Sequence, residues 1–127
     1  MIKKFYLWDD TMPNQKSKKK EPIKEFDIES KVTKITEVTN PLVKVFHPNN
    51  DVKNGIGILI FPGGSYQLLA IDLEGTEPAL WLNSLGYTTY VLHYRVPNNR
   101  EGAFNDTQRA FKLIKKNFNH KKLGVLG

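Results

Sequence analysis

The chain has 127 residues, 39% of them hydrophobic and 25% charged, which is typical of one globular domain or of part of one. No apolar run approaches the roughly 20 residues that a membrane span needs. The absence of cysteine excludes disulfides, thiolate metal sites and a cysteine nucleophile. Asp9 and Asp10 interrupt the apolar start before the roughly 7-residue stretch of a signal peptide can form, so neither export nor a membrane partner is predicted.

The formal net charge of +6 raises the question of a polyanionic partner. Seven lysines lie within residues 3–24, and a second basic cluster follows helical spacing between Arg109 and Lys122. A solvated tail and a solvated helix face account for both clusters. No strand alternates lysines with aromatic side chains, as nucleic-acid-binding sheets do. We therefore predict no nucleic-acid partner.

Residues 1–30 are polar, rich in lysine and interrupted by Pro13 and Pro22, a pattern that predicts an extended N-terminal arm rather than a packed element. A domain is predicted over residues 31–127. Two runs rich in β-branched residues, 31–39 and 42–46, predict adjacent strands joined by a short turn.

The following segments alternate between strand and helix patterns. The run 56–61 is apolar on both faces and predicts a central parallel strand covered by helices. The later predicted elements are a helix over 77–85 ended by Gly86, a strand over 87–94, a helix from Asn105 or Asp106 to about Phe118, and a strand over 123–127. This order predicts an α/β fold, a mostly parallel sheet with right-handed crossovers. The last strand has no following helix to cover it, so the sheet is expected to be incomplete.

Residues 62–66, Pro-Gly-Gly-Ser-Tyr, form a loop at the carboxyl end of the predicted central strand, the edge where α/β proteins place their sites. Consecutive backbone N–H groups on such a loop can converge on an oxygen that gains negative charge, each contributing roughly 3 kcal/mol in a tetrahedral transition state. Equally, the glycines can serve only to make a tight turn without strain. The loop alone does not decide between these interpretations.

Eight short motifs occur in a fixed order along the chain. They are Ile60–Tyr66, Glu74-Gly75, Ala79–Leu82, Gly86-Tyr87, Tyr94–Pro97, Asp106, Arg109-Ala110 and Leu123–Gly127. Together they resemble the α/β-hydrolase family, in particular its acetyl xylan esterase and feruloyl-esterase-like branch. The resemblance implies that residues 31–127 are the N-terminal half of an α/β-hydrolase domain, ending at the start of the nucleophile strand-turn.

The family has a Ser-Asp/Glu-His triad whose serine lies on a Gly-x-Ser-x-Gly elbow. Gly127 matches the first glycine of that elbow, so the resemblance places the nucleophile, the acid and the histidine beyond this chain. It assigns the backbone N–H groups of Gly64 and Ser65 to the oxyanion hole. This sequence departs from the family at Ser65, where a third glycine is usual, and at Pro62, where many relatives carry histidine.

The resemblance gives three further residues a role. Tyr66 is expected to line the substrate pocket, although a tyrosine after a glycine turn is as often part of the core. Arg95 and Asp106 match a Tyr-Arg and an Asp-x-x-x-Ala position and are expected to form a structural contact. Catalysis by Arg95 is not expected, because arginine stays protonated near neutral pH.

Other catalytic or metal arrangements have weaker support in the sequence. A triad of Ser65, His93 and Asp106 is not expected, because Ser65 lacks the elbow context and His93 lies inside a strand. His47 and His120 are predicted to be surface residues. The three histidines are scattered without a His-Glu-x-x-His pattern, so no metal site is predicted.

The resemblance implies a serine-dependent carboxylic ester hydrolase that acts on acyl esters of a carbohydrate or small alcohol and needs no cofactor. This chain by itself would be inactive, and a missing C-terminal half would be its partner. The alternative is a catalytically dead remnant or a non-enzymatic interaction module that uses its basic arm and helix. No signal peptide is predicted in these residues, so a cytoplasmic location is the default expectation, whereas relatives are often exported.

Overall fold

The computed structural model describes residues 3–127 and contains two β-sheets and two α-helices. The strands are β1 (Lys4–Tyr6), β2 (Ile23–Asp27), β3 (Val32–Thr36), β4 (Leu42–Phe46), β5 (Ile56–Ile60), β6 (Leu69–Ala70), β7 (Thr88–His93) and β8 (Lys122–Leu126). The helices are α1 (Glu77–Ser84) and α2 (Arg100–Asn117), and a π-helical turn at Asp72–Thr76 precedes α1. Within residues 3–127, no helix combines the length and apolarity needed to cross a membrane.

The main sheet has five strands in the order β1-β4-β7-β5-β8. The pairings β1-β4 and β4-β7 are antiparallel, whereas β5 pairs in parallel with both β7 and β8. Strand β5 therefore has parallel neighbours on both sides, which confirms the prediction made from its apolar faces. The predicted α/β fold is confirmed as a mixed sheet flanked by two helices, with its parallel part at β7-β5-β8.

The two faces of the sheet bury different helices because side chains alternate along each strand. Tyr90 and Leu92 pack in the same core cluster as Ala110 and Ile114 of α2. Val91, on the opposite face, packs with Ile60 and with Ala79 of α1. Each fully buried large apolar side chain contributes roughly 1.5–3 kcal/mol. Covering on both faces explains why all six residues of β7 are buried.

The segment predicted to be an extended arm contains two strands, so the expectation that it holds no packed element is wrong. Strand β1 pairs with β4, and strand β2 pairs with β3. Phe5 of β1 packs against Phe118, with ring centroids 5.9 Å apart. Strand β1 has its partner far along the chain, which local composition does not reveal, whereas β2 forms a hairpin with the next strand, β3. The division into an arm and a domain at residue 30 stays a prediction.

The predicted pairing of the strands over 31–39 and 42–46 is also wrong. Strand β3 lies between β2 and β6 in a separate three-stranded sheet, whereas β4 lies in the main sheet. Glu37 has φ +56°, and the next residue, Val38, forms an isolated bridge with Val96. The chain therefore turns out of the small sheet before β4 begins.

The helix predicted from Asn105 or Asp106 begins earlier in the structure. Asn99 is its N-cap, and the Asn99 side chain accepts a hydrogen bond from the backbone N–H of Gly102 at 3.0 Å. Gly102 in the first turn weakened the helical pattern there. The other helix boundaries agree with the prediction: α1 ends before Gly86, which has φ +99°, as expected of a glycine after a helix.

Candidate functional site

The loop formed by residues 62–66 follows β5 at the carboxyl edge of the parallel strands. Strands β5, β7 and β8 run in the same direction, so the chain segments after all three leave from one edge. The backbone N–H of Phe61 donates to the carbonyl oxygen of Leu126 at 2.9 Å. The glycine loop and the end of β8 are therefore held side by side.

The backbone of the loop folds back on itself in a way that requires glycine at position 64. The Gly64 carbonyl accepts hydrogen bonds from the N–H groups of Gln67 and Leu68 at 3.0 and 3.3 Å, and the Gly63 carbonyl accepts one from Ala70 at 3.0 Å. A Cβ atom on Gly64 would lie 1.8 Å from the carbonyl oxygen of Leu68. Because that neighbour is a backbone atom, a side chain here would force the turn apart.

Ser65 and Tyr66 both adopt the left-handed backbone region, with φ +56° and +61°. This conformation costs side-chain-bearing residues roughly 1–2 kcal/mol each and is free for glycine. Ser65 is the position where the family usually has a third glycine. The serine here takes a conformation that glycine favours, and the surrounding turn maintains it.

Gly64 and Ser65 carry the backbone N–H groups assigned to an oxyanion hole. Gly64 is partly exposed and Ser65 is exposed. Neither N–H donates to any acceptor within residues 3–127. Backbone donors without a partner in the protein break no hydrogen bond within the protein when they bind a developing negative charge.

Residues just after β7 and in the π-helical turn pack against Pro62 and support the loop. The hydroxyl of Tyr94, just after β7, donates to the carbonyl oxygen of Pro62. Burial, with smaller effects of Tyr66 and Glu74, raises the pKa of Tyr94 to about 12, so its hydroxyl keeps its proton near neutral pH. In the π-helical turn, a Cβ added to Gly75 would lie 3.4 Å from Pro62 Cγ. The sequence did not predict that Tyr94 supports the loop. Its position directly after β7, at the same sheet edge as the loop, could have indicated this contact.

Tyr66 lies at the exposed rim of the loop. Its side chain is 44% exposed, and the guanidinium carbon of Arg100 lies 4.8 Å from the centre of its ring. A cation over an aromatic ring contributes roughly 0.5–1 kcal/mol at an exposed site. Tyr66 and Arg100 also line an open cleft of about 450 Å³ together with Asn98 and Glu101. Tyr66 therefore faces a cleft rather than the core.

Arg95 and Asp106 form a buried ion pair. Their side chains are 3% and 0% exposed, and Arg95 Nη2 and Nε donate to the Asp106 carboxylate at 2.9 and 3.0 Å. The carboxylate also accepts from Trp8 Nε1 at 2.8 Å. The other Arg95 contacts are to the carbonyl oxygens of Pro13 and Gly102 at 2.8 and 3.0 Å. The pair joins the end of β7, helix α2 and the N-terminal segment.

The structure does not assemble a triad from Ser65, His93 and Asp106. No hydrogen bond joins any two of these side chains in the described part of the chain, and Asp106 is already bound to Arg95. Burial, with a smaller contribution from Lys44 and Lys24, lowers the pKa of His93 to about 4. His93 is a packed strand residue, as its sequence context predicted.

His120 is not the surface residue that the sequence predicted. It is half-buried, and its Nε2 shares a hydrogen bond with the hydroxyl of Tyr90. The prediction failed because the turn before β8 folds back onto the sheet. Over residues 3–127, no group of three or more His, Asp or Glu side chains is arranged to hold a metal ion.

The amino-acid sequence is similar to that of a known esterase. No family model matches the chain. An acetylxylan esterase from Xylanibacter ruminicola is 31% identical to it over 88 residues, covering 65% of this chain and 18% of the esterase. The similarity thus spans most of this chain and less than a fifth of that relative.

Solved structures show the same relationship. An acetyl ester-xyloside bifunctional hydrolase from Caldicellulosiruptor lactoaceticus matches with a TM-score of 0.60 and 32% identity, over 69% of this chain and 34% of that one. An α/β serine hydrolase homologue from Coxiella burnetii matches with a TM-score of 0.55 over 88% of this chain and 54% of that one, and at 13% identity it shows the fold alone. The sequence is similar to that of an acetylxylan esterase and the fold matches part of these hydrolases, so the chain is a partial α/β-hydrolase.

Proposed function

We propose that this chain is part of a serine-dependent carboxylic ester hydrolase and supplies its oxyanion-binding loop. The observation that carries the proposal is the loop at the carboxyl end of β5, where the N–H groups of Gly64 and Ser65 have no acceptor within residues 3–127. The similarity to an acetylxylan esterase and to an acetyl ester-xyloside hydrolase supports ester chemistry.

In this mechanism the chemistry is two-step acyl transfer. A serine oxygen bonds to the ester carbonyl carbon while a histidine takes the serine proton, and the carbonyl electron pair moves onto its oxygen. The N–H groups of Gly64 and Ser65 stabilise that oxyanion. The carbon–oxygen bond to the alcohol then breaks, and the alcohol leaves with the proton from the histidine. Water repeats the sequence on the acyl-enzyme and releases the carboxylic acid.

The nucleophile in this proposal is not a residue of the described chain. Ser65 is exposed, His93 is buried, and His120 Nε2 shares its hydrogen bond with the Tyr90 hydroxyl. Ser65 would act through its backbone N–H, which an alanine would also provide. The serine, acid and histidine of the triad would come from residues other than 3–127.

For the substrate, we propose an acyl ester of a carbohydrate or of a small alcohol. The cleft of about 450 Å³ beside the loop is in the size range of small-molecule sites. Tyr66 offers an aromatic ring at its rim, and Asn98, Glu101 and Arg100 offer polar groups. This lining suits an alcohol that carries further hydroxyl groups.

The test is ester hydrolysis by the protein expressed from its own gene, with 4-nitrophenyl acetate and acetylated xylan as substrates. We expect turnover of the nitrophenyl ester that is lost after treatment with a fluorophosphonate, with the label on a serine other than Ser65. No hydrolysis, or hydrolysis insensitive to the reagent, would overturn the proposal and favour a non-enzymatic module.

One variant and the isolated residues 1–127 separate the roles of the serine side chain and the backbone. Ser65→Ala keeps the backbone N–H, so kcat/KM is expected to stay within about threefold of the parent value. Residues 1–127 purified alone are expected to hydrolyse neither ester. Activity of residues 1–127 that disappears in Ser65→Ala would identify Ser65 as the nucleophile and contradict the proposed mechanism.

A further inference from the structure

A groove of about 490 Å³ lies between the β1-β4 edge of the main sheet and the three-stranded sheet. Five of its lining residues are lysines, and Glu21 is the only lining carboxylate. None of the lining residues belongs to the loop of residues 62–66. The groove is therefore a second feature, separate from the loop proposed to bind the oxyanion.

Three of the lysines bring unpaired positive charge together. Lys4 and Lys44 are register partners on β1 and β4, and Lys24 is on β2. None of them forms an ion pair within residues 3–127. Like charges directly opposite one another destabilise a sheet, and burial together with Lys24 and Lys4 lowers the pKa of Lys44. Such a cluster is stabilised by a bound anion.

The other two lysines are already engaged. Lys19 Nζ donates to the carbonyl oxygens of Trp8 and Asp9 at 3.1 and 2.6 Å. Lys20 Nζ lies 3.6 Å from a carboxylate oxygen of Glu37. The charge available to a ligand is thus concentrated at the three strand lysines.

The rest of the groove is suited to more than a simple anion. The oxygen of the Asn40 side chain is buried and accepts no hydrogen bond in the described part of the chain. A carboxylate or a fully ionised phosphate group has no proton to donate to it, whereas a hydroxyl group has one. Tyr6 is 47% exposed, with Lys4 Nζ 5.7 Å from the centre of one face of its ring, and the other face adds aromatic surface. Ile35 and Ile71 add buried apolar surface.

We propose that this groove binds a sugar that carries a carboxylate or a phosphate group. The lysines Lys4, Lys24 and Lys44 bind the anionic group through charge-assisted hydrogen bonds. A sugar hydroxyl donates to the Asn40 oxygen, and the apolar face of the ring packs against Tyr6. This inference does not depend on the proposed ester hydrolysis, because binding here needs no triad.

The test is calorimetric titration of the purified protein, expressed from its own gene, with D-glucuronate, glucose 6-phosphate, glucose and inorganic phosphate. We expect at least one anionic sugar to bind about tenfold or more tightly than both glucose and inorganic phosphate. Binding of glucuronate alone identifies the anionic group as carboxylate, and binding of glucose 6-phosphate alone identifies it as phosphate. Equal affinity for all four, or no binding up to about 10 mM, overturns the proposal.

Variants locate the binding. Lys24→Gln and Lys44→Gln are each expected to weaken anionic sugar binding about tenfold. Lys112→Gln removes the same charge from an exposed position on α2 and is expected to leave the affinity unchanged. Asn40→Ala is expected to weaken sugar binding but not inorganic phosphate binding. If Lys112→Gln weakens binding as much as Lys24→Gln, the site is not this groove. Far-UV circular dichroism shows that each variant is folded.

Discussion

Two adjacent glycines in the loop of residues 62–66 differ in what a side chain would meet. At Gly64 a Cβ would lie 1.8 Å from the Leu68 carbonyl oxygen, whereas at Gly63 it would lie 2.5 Å from Oε1 of Glu74. The first obstacle is backbone inside a hydrogen-bonded turn. The second is the end of an exposed, flexible side chain that can rotate away. An added methyl group is therefore expected to destabilise the protein more at Gly64 than at Gly63.

We expect Gly64→Ala to lower the free energy of unfolding by about 1–3 kcal/mol, the usual cost of forcing a group into a packed site. Gly63→Ala is expected to change it by no more than about 0.5 kcal/mol, because Glu74 can move. Urea denaturation of both variants measures the difference. Equal losses in the two variants would show that the backbone of the turn does not discriminate between them.

At the scale of elements, the Arg95–Asp106 pair joins α2 to the end of β7. Both side chains are almost fully buried, and each is bound by several groups from other segments. Removing one member of a buried ion pair leaves the other charged and unpaired, which typically costs about 3–5 kcal/mol. The pair therefore fixes the position of α2 on the sheet more than it adds net stability.

We expect Asp106→Ala to lower the free energy of unfolding by about 3–5 kcal/mol, because Arg95 is left buried without a counter-charge. The matched control is Glu101→Ala, which removes an exposed carboxylate from the same helix and is expected to cost no more than about 0.5 kcal/mol. Chemical denaturation measures both. The double variant Arg95→Met/Asp106→Ala is expected to recover part of the loss. A single-variant loss no larger than that of Glu101→Ala would contradict this account.

Which elements the sequence predicted depends on where their partners lie. Strand β5 and helix α1 were predicted because their apolar patterns and the terminal Gly86 are local signals. The start of α2 was missed because Gly102 interrupts its first turn. Strand β1 was missed because its pairing partner, β4, is distant in the chain, and no local pattern encodes that. Strand β2 pairs with the neighbouring β3 and was missed because its exposed sequence, Ile-Lys-Glu-Phe-Asp, is poor in β-branched residues.

At the scale of the whole molecule, the two candidate sites differ in how far sequence can predict them. The loop of residues 62–66 is one contiguous motif after one strand, so its place at the sheet edge followed from the strand pattern. The basic groove is built from Lys4, Lys24 and Lys44, which lie on three separate strands. In the sequence, two of these lysines belong to what looked like a solvated tail. Only the packing of the two sheets brings the three together.

His93 lies at the same junction of the two sheets, and its burial there makes the stability of the protein depend on pH. It is 8% exposed, and burial, with Lys44 and Lys24, lowers its pKa from 6.5 to about 4. The unfolded chain therefore binds the His93 proton more readily than the folded chain does. The stability that neutral His93 provides is fully present above pH 6.5, falls as the pH decreases towards 4, and changes little below that.

We expect His93 to account for a loss of roughly 3 kcal/mol in the free energy of unfolding between about pH 7 and pH 4, from a pKa difference worth about 1.4 kcal/mol per unit. Urea denaturation across this range measures it, with His93→Gln as the comparison, because glutamine does not titrate. Other groups titrate in both proteins, so the difference between the two curves isolates His93. Parallel curves would mean that His93 is accessible enough to titrate in the folded chain as it does in the unfolded one, and that the sheets do not bury it.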